Sequence, residues 1–175
     1  MITALRTTLS EPTKYLTNVF ERENFGLFML ERQLKTLFSD LQETYGGILF
    51  RLENSGHPFD LTISQEELSG LFKIVLEAID NSLRHSNAST ITAEIKLINH
   101  NLIQFSISDN GAGFDLDKVA EFKRHSGIKR ICDYAHQING RVIFDSTLGR
   151  GTHVVVAKPI EKQKARFYTR LVALF

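Results

Sequence analysis

Apolar residues recur at helical spacing in three stretches of the chain. Residues 25–44 carry apolar side chains three and four positions apart, which is the spacing of one buried helix face. Residues 64–85 show the same spacing, and Ser64 followed by Glu67 forms the capping-box pattern that opens a helix. Residues 128–138 follow the pattern again and end at an Asn-Gly pair. The sequence therefore predicts three amphipathic helices.

Alternating apolar and polar residues predict five β-strands. These strands lie at residues 48–53, 91–97, 103–109, 141–146 and 152–158. Strands of this kind bury one face of a sheet and leave the other face polar. Combined with the helices, they predict an α+β fold: a two-layer sandwich in which helices cover one face of a mixed β-sheet.

Composition and charge narrow the class of protein. The 175 residues are 42% hydrophobic and 23% charged, which fits one globular domain with some extension. A net charge of +1 argues against general nucleic-acid binding, because neutralising phosphates needs a basic excess. The single cysteine, Cys132, excludes an intramolecular disulfide. With no long apolar run and no secretory signal in the sequence, we expect a soluble, cytoplasmic protein.

The second predicted helix carries a polar pair. Glu77 and Asn81 are four residues apart and so share one helix face, with Asp80, Arg84 and His85 nearby. An asparagine amide oxygen suits Mg²⁺, which prefers oxygen ligands, and a glutamate one turn away would orient or deprotonate a nucleophile. The alternative is a solvated polar stripe joined by a hydrogen bond between neighbouring turns.

A glycine-rich segment, Asp109-Asn110-Gly111-Ala112-Gly113, ends the third predicted strand. Alternation turns Asp109 towards the core, where a buried carboxylate needs a hydrogen-bond donor. The exocyclic amine of a purine would supply that donor, and the glycines would let the backbone approach a flat ring. The alternative is a tight turn with Asp109 as a local cap.

Two further glycine segments lie downstream. Ser126-Gly127-Ile128 opens a helix, where free N–H groups and the helix dipole favour an anion, although an ordinary glycine before a helix is the alternative. Gly149-Arg150-Gly151-Thr152 joins two strands and permits close approach to a ligand, although a plain loop is the alternative. The chain contains no GxxxxGK[ST] phosphate loop and no CxxC or HExxH zinc motif.

In this order and at these separations, the motifs resemble the ATP-binding catalytic domain of the GHKL superfamily. This is the Bergerat fold of sensor histidine kinases, gyrases and MutL proteins. Residues 74–86 resemble the asparagine box, and Asp109–Phe114 matches the DxGxG glycine box. The resemblance covers about residues 25–159 and is closest to kinases that partner NarL/LuxR-type response regulators.

The resemblance implies a role for each motif residue. Glu77 would be the catalytic residue that polarises the attacking group, Asn81 would hold Mg²⁺ against ATP, and Asp109 would bond the adenine amino group. The implied ATP-binding residues are Asn81, Arg84, His85, Asp109, Gly111, Gly113, Gly127, Ile128, Gly149, Gly151 and Thr152. Residues 115–126 would form a short lid over the nucleotide.

The chain departs from the family pattern in two ways. The lid usually ends in GxGL, but His125 stands at the first glycine here, which would narrow phosphate access or weaken binding. A complete histidine kinase also carries a phosphoacceptor histidine on an upstream helix, and no histidine precedes His57. We therefore expect the acceptor histidine domain to be supplied elsewhere, in a longer kinase or in trans.

The resemblance divides the chain into three parts. Residues 1–24 are expected to form a helical extension that is the remnant of a dimerisation helix, 25–159 the ATPase domain, and 160–175 an amphipathic tail. The expected partners are the acceptor domain, a response regulator of NarL/LuxR type and a second copy of the chain, with no direct nucleic-acid contact. The expected location is the cytoplasm, either free or as the cytoplasmic part of a membrane-anchored sensor.

Three hypotheses for function stay open at this stage. The first is the catalytic domain of a two-component sensor histidine kinase, which the N-terminal helices and the Gly149–Thr152 context favour. The second is an anti-sigma-factor-type serine kinase, which the lack of an upstream acceptor histidine favours. The third is a nucleotide-binding module without catalysis, which the substitution at His125 would explain.

Overall fold

The computed structural model describes residues 24–54, 61–98, 101–116 and 127–160. The predicted extension over residues 1–23, lid residues 117–126 and the tail over 161–175 lie outside the described residues. The elements are β1 (Asn24–Gly26), α1 (Leu27–Thr44), β2 (Leu49–Asn54), β3 (Thr62–Ser64), α2 (Gln65–His85), β4 (Thr90–Ile98), β5 (Leu102–Asp109), α3 (Gly127–Gln137), β6 (Arg141–Ser146) and β7 (Thr152–Pro159). No helix in the described part is long and apolar enough to cross a bilayer.

The main sheet has five strands in the order β2-β4-β5-β7-β6. β2 pairs with β4 in parallel, and the other neighbours pair antiparallel, so the sheet is mixed as predicted. On the face turned to the helices, alternate side chains such as Ile91, Phe105 and Val156 are almost fully buried. The opposite face carries residues such as Ile143, which is 65% exposed. The α+β sandwich with one covered face is thereby confirmed.

The apolar face predicted for the first helix is buried in α1. Its leucines and one phenylalanine contact the same core as the sheet, and they are Leu27, Leu30, Leu34, Leu37, Phe38 and Leu41. The helix begins at Leu27 rather than at the predicted Phe25, because β1 precedes it and pairs antiparallel with β3. Each of these two strands has three residues, too few to show an alternating pattern, so the sequence did not predict them.

The predicted capping box forms at the start of α2. The Ser64 hydroxyl accepts a hydrogen bond from the Glu67 backbone N–H at 3.2 Å, and the Glu67 carboxylate accepts one from the Ser64 N–H at 2.7 Å. The other carboxylate oxygen lies 2.6 Å from the ammonium of Lys158 on β7, a lysine that is only 4% exposed. Burial alone would raise the pKa of Glu67, but hydrogen bonds from Lys158 and Ser64 and the lysine charge hold it below its usual range. This pair joins the first turn of α2 to the end of the sheet.

Candidate functional site

A cavity of about 480 Å³ lies between α2, α3 and the inner face of β5 and β7. Most of the residues predicted to form the site line it, although they come from four separate parts of the chain. The lining residues among them are Asn81, Arg84, His85, Asp109, Gly113, Gly127, Ile128 and Thr152. The predicted residues that are not among the described lining are Glu77, Gly111, Gly149 and Gly151.

Asp109, at the end of β5, belongs to the buried part of the cavity lining and is 9% exposed; this part is the closed end of the cavity. Alternation placed it on the core face, as the structure shows. One carboxylate oxygen accepts a hydrogen bond from the Ser82 hydroxyl at 2.7 Å, and the other accepts one from the Gly111 N–H at 2.9 Å. Each oxygen has two lone pairs, so both retain capacity for a donor that enters from the cavity. Two hydrogen bonds from the protein therefore offset the cost of burying this carboxylate. Its oxygens can still accept further hydrogen bonds from a ligand.

Apolar side chains form the walls between Asp109 and the opening. They come from both helices and from three strands, and include Ala78, Ile107, Ile131, Phe144 and Val154. An apolar slot with a few convergent polar groups at one end is the usual form of a site for a small flat ligand. The lining suits a purine ring.

Interlocked glycines set the shape of the wall on the loop side. Gly113 and Gly151 adopt positive φ angles of 61° and 77°, which other residues rarely adopt. A Cβ on Gly113 would overlap the Thr147 carbonyl and lie 2.7 Å from that of Gly151. The Gly149 N–H donates to the Ala112 carbonyl at 2.6 Å. Gly149 and Gly151 thus hold the loop after β6 against the loop after β5, whereas Gly113 reaches the cavity.

The start of α3 approaches the polar face of α2 very closely. A Cβ on Gly127 would overlap the Asn81 side-chain amide and lie 2.6 Å from a carboxylate oxygen of Glu77. Only glycine leaves room for this contact without movement of the neighbouring side chains. The amide of Asn81 and the backbone N–H groups at the start of α3 therefore lie close together. Asn81 is one turn from the exposed lining residues Arg84 and His85, which mark the mouth of the cavity, and the helix dipole favours an anion there.

Glu77 is engaged by a residue that the motif analysis did not select. Both of its carboxylate oxygens accept hydrogen bonds from the guanidinium of Arg130, with Nε donating to Oε2 at 2.7 Å and Nη2 donating to Oε1. The hydrogen bond to Glu77 is the largest cause that raises the pKa of Arg130 above its usual value. The Arg130 side chain also lines the cavity. This pair could not be predicted from the sequence, because the two residues belong to different helices.

Arg84 and His85 lie at the rim of the cavity. The Arg84 Nε donates to the Asp80 carboxylate at 2.6 Å, one turn earlier on α2. Ion pairs of this exposed type contribute only a few tenths of a kcal/mol, about 0.3–0.5, so Arg84 is not firmly held. His85 is exposed. Both the solvated stripe and the phosphate-binding role remain compatible with this arrangement.

The residues of the site suit a magnesium ion that is coordinated mainly by a bound small molecule and only in small part by the protein. No cluster of three or more His, Cys, Asp or Glu residues suited to a metal occurs in the part of the chain that the structure describes. Mg²⁺ commonly uses one or two protein oxygens together with substrate phosphates and water rather than a protein cage. The Asn81 amide at the mouth of the cavity supplies such an oxygen.

Sequence reasoning missed two further polar residues of the site. Ser82 is buried beside Asp109, and the helical spacing of Val75, Ile79 and Ser82 could have placed it on the core face, where its hydroxyl needs a partner. The Asn110 side chain accepts hydrogen bonds from the backbone N–H groups of residues 89 and 90 at 3.0 and 2.9 Å and so fixes the turn after β5.

A family model described as "Histidine kinase-, DNA gyrase B-, and HSP90-like ATPase" matches residues 66–162, more than half of the chain. The chain belongs to this ATPase family. Family membership implies a nucleotide as ligand, in agreement with the cavity described above. The predicted relation to the GHKL superfamily is confirmed at this level.

Curated relatives of this chain include proteins named as sensors or histidine kinases. The "Signal transduction histidine-protein kinase/phosphatase DegS" of Bacillus subtilis is 28% identical over 120 residues, which cover 68% of this chain and 31% of DegS. The "Sensor histidine kinase LiaS" of Bacillus subtilis is 36% identical over 101 residues, 58% of this chain and 27% of LiaS. The "Sensor protein VraS" of Staphylococcus epidermidis is 34% identical over 94 residues, 54% of this chain and 26% of VraS. The matches thus span less than a third of these relatives.

Solved structures agree with the fold. A histidine kinase domain from the blue-light activated histidine kinase EL346 of Erythrobacter litoralis superposes with a TM-score of 0.72 at 14% identity, covering 90% of this chain and 80% of that one. The histidine kinase AdeS of Acinetobacter baumannii gives 0.62 at 16% identity, covering 91% and 77%. At such low identity the likeness supports the α+β architecture alone.

Proposed function

We propose that this domain binds Mg²⁺-ATP and transfers the γ-phosphoryl group to a histidine supplied outside the described domain, from which it passes to an aspartate of a response regulator. The observation that carries the proposal is one cavity with a buried carboxylate at its closed end and an amide beside a helix N-terminus at its mouth. The curated relatives, whose names describe sensor and histidine kinases, favour phosphotransfer to histidine.

The closed end of the cavity suits adenine. Asp109 accepts hydrogen bonds and donates none when ionised, so it favours a ring that presents an amino group and disfavours one that presents a carbonyl there. Ser82 and Gly111 orient the carboxylate with hydrogen bonds of 2.7 and 2.9 Å. Thr152 lies opposite Asp109 in the register of β5 and β7 and closes the pocket on that side.

The mouth of the cavity suits the triphosphate. The Asn81 amide oxygen would be the protein ligand of Mg²⁺, which when bound neutralises phosphate charge. The N–H groups of Gly127 and Ile128 would donate to phosphate oxygens, and Arg84 and His85 at the rim would add donors. Glu77 would polarise the attacking group once its oxygens are released from Arg130. Phosphoryl transfer then depends mainly on positioning and charge stabilisation.

The acceptor of the phosphoryl group is to be identified by experiment. We infer that a histidine-bearing domain and a response regulator are the partners, because the longer relatives DegS, LiaS and VraS are named as sensors or histidine kinases. The NarL/LuxR type of regulator is inferred from the resemblance of the motifs alone. The second candidate is a nucleotide-binding module without catalysis, and the bidentate hold of Arg130 on Glu77 favours it. Incubation with labelled ATP and a histidine-bearing acceptor domain separates the two, since acid-labile phosphate on the acceptor supports the histidine kinase and ATP binding without any transfer supports the module. Acid-stable phosphate would support a serine kinase instead.

Calorimetric titration tests nucleotide binding directly. We expect ATP to bind in a Mg²⁺-dependent manner and more tightly than GTP. Asp109→Asn presents amide donors towards the adenine amine and should weaken ATP binding between about tenfold and 100-fold. The matched control is Asp145→Asn, on the exposed positions of β6 and outside this cavity, which should bind ATP as the unaltered protein does. Absence of ATP binding at millimolar concentration, or equal binding by both variants, would contradict the proposal.

A further inference from the structure

The Arg130 side chain contacts Glu77 and also faces the cavity. Its guanidinium holds Glu77 with two hydrogen bonds, and its side chain lines the cavity near the mouth. It lies in the first turn of α3, three residues after Gly127, among the basic residues that follow the predicted anion site. The Arg130 side chain is 50% exposed, whereas that of Glu77 is 13% exposed. The cation of this pair therefore faces both the carboxylate and the space where the phosphates of a nucleotide would lie.

We propose that Glu77 and the phosphates of a bound nucleotide compete for the guanidinium of Arg130, so that phosphate binding releases Glu77. This inference rests on the proposed function, because it needs a nucleotide in the cavity. Arg130 is then a positioning residue that responds to phosphate, and Glu77 becomes available to polarise the attacking group only when phosphate draws the arginine away. No bond is made or broken in this exchange other than hydrogen bonds.

The geometry of the pair supports competition. The two oxygens of Glu77 accept from Arg130 along one edge of the guanidinium, so a carboxylate held in this way is a poor proton acceptor. Arginine presents five N–H donors in a rigid fork that matches phosphate as well as carboxylate. Among the described residues, Glu77 is its hydrogen-bond partner, and a phosphate at the mouth would offer it a second anion.

The surroundings of the pair permit the exchange. Ion pairs with one half-exposed member contribute little net stability, because water replaces the lost partner. The Glu77 carboxylate is packed closely against Gly127 at the start of α3. The Arg130 side chain is the half-exposed member of the pair and so has more freedom to move. The neighbouring cation Lys129 pairs with Asp133 on its own helix at 2.6 Å and does not line the cavity. It therefore supplies a matched control.

The first test compares ligands with and without phosphates. Calorimetry with ATP, ADP and adenosine should show that Arg130→Ala weakens ATP and ADP about tenfold and leaves adenosine within about twofold. Lys129→Ala should bind all three as the unaltered protein does. An unaltered protein that binds no nucleotide contradicts the proposed function. Normal binding by the unaltered protein with equal loss of ATP and adenosine in Arg130→Ala contradicts only the role of the arginine.

The second test asks whether Glu77 competes. Glu77→Gln keeps the shape of the side chain but weakens its hold on the guanidinium, so ATP should bind about threefold tighter, and this gain should vanish when Arg130→Ala is present. A gain that persists in the double variant shows a simple charge effect and overturns the exchange. Weaker binding by Glu77→Gln shows that the pair orients Arg130 for phosphate, which also overturns it. The Nε–H resonance of Arg130 should move with ATP and not with adenosine.

Discussion

Two carboxylates of α2 each pair with a cation from another element, and the two pairs differ in what surrounds them. Glu67, in the first turn, holds Lys158 of β7, whose side chain is 5% exposed. Glu77, further along the same helix, holds Arg130 of α3, whose side chain is 50% exposed. The carboxylates themselves are 25% and 13% exposed, so the contrast lies in the cations.

The difference teaches that the burial of the cation decides whether a pair is structural or exchangeable. Lys158 is only 4% exposed, and its ammonium donates to Glu67 and to the Pro159 carbonyl at 2.7 Å, so removing Glu67 leaves a buried charge without its counter-ion. Arg130 can turn towards water or towards a phosphate without such a penalty. One helix thus carries a pair that fixes it to the sheet and a pair that can change partner at the cavity.

The largest expected effect comes from removing the two carboxylates one at a time. Glu67→Ala should lower the free energy of unfolding by about 3–5 kcal/mol, because Lys158 stays buried without its counter-ion. Glu77→Ala should lower it by at most about 1 kcal/mol. Urea unfolding of both variants measures the difference, with Glu66→Ala, an exposed glutamate in the same first turn, as the control. Similar losses from Glu67→Ala and Glu77→Ala would remove the distinction between the pairs.

A double variant sharpens this result. Glu67→Gln keeps a side chain that can complete the capping box, and Lys158→Met removes the buried charge. Together they should recover most of the stability that Glu67→Ala loses, leaving a deficit of about 1 kcal/mol or less. A deficit as large as that of Glu67→Ala would show that the ammonium itself, through its bond to the Pro159 carbonyl, is what the fold requires.

Lowering the pH should also reduce the free energy of unfolding through the pair of Glu67 and Lys158, but by less than the substitutions above. Burial alone would raise the pKa of Glu67, but Lys158 and Ser64 lower it overall, so the folded-state pKa lies below the ordinary value of about 4.5. The stability that this carboxylate contributes is full above that ordinary value and is lost as the pH falls through the folded-state pKa. Unfolding measured between pH 7 and pH 3 should show a flatter acid limb in Glu67→Gln. The same acid limb in Glu67→Gln and the unaltered protein would contradict the assignment.

The same two pairs show what the sequence can and cannot predict. The capping box of Ser64 and Glu67 was predictable because its partners are three residues apart and adopt one local geometry. The contact between Glu67 and Lys158 was not predictable. Lysine is almost always exposed, and only the register of β7 brings Lys158 beneath α2. Local chemistry is visible in sequence, whereas contacts set by packing are not.

The candidate site also combines positions that the sequence predicts with contacts that it does not predict. Alternation along β5 predicted that Asp109 faces the core, and helical spacing put Glu77 and Asn81 on one face of α2. The resemblance to a family then brought the separate motifs together. Neither source gave the bond from Ser82 to Asp109 or the hold of Arg130 on Glu77, since both depend on how closely α2 packs against its neighbours.

The smallest expected effect is the change that salt causes in the coupling energy of each ion pair. Double-mutant cycles isolate the coupling between Glu77 and Arg130 and between Glu67 and Lys158. In low salt the exposed pair should show a coupling of at most about 1 kcal/mol, and in 1 M NaCl, where the Debye length is about 3 Å, only a few tenths. The coupling of the buried pair should change less, because its lysine side chain is only 5% exposed and buried pairs are screened much less than exposed ones. A coupling between Glu77 and Arg130 that resists salt would mean that the guanidinium is held as firmly as the buried ammonium, and the exchange with phosphate would then lose its physical basis.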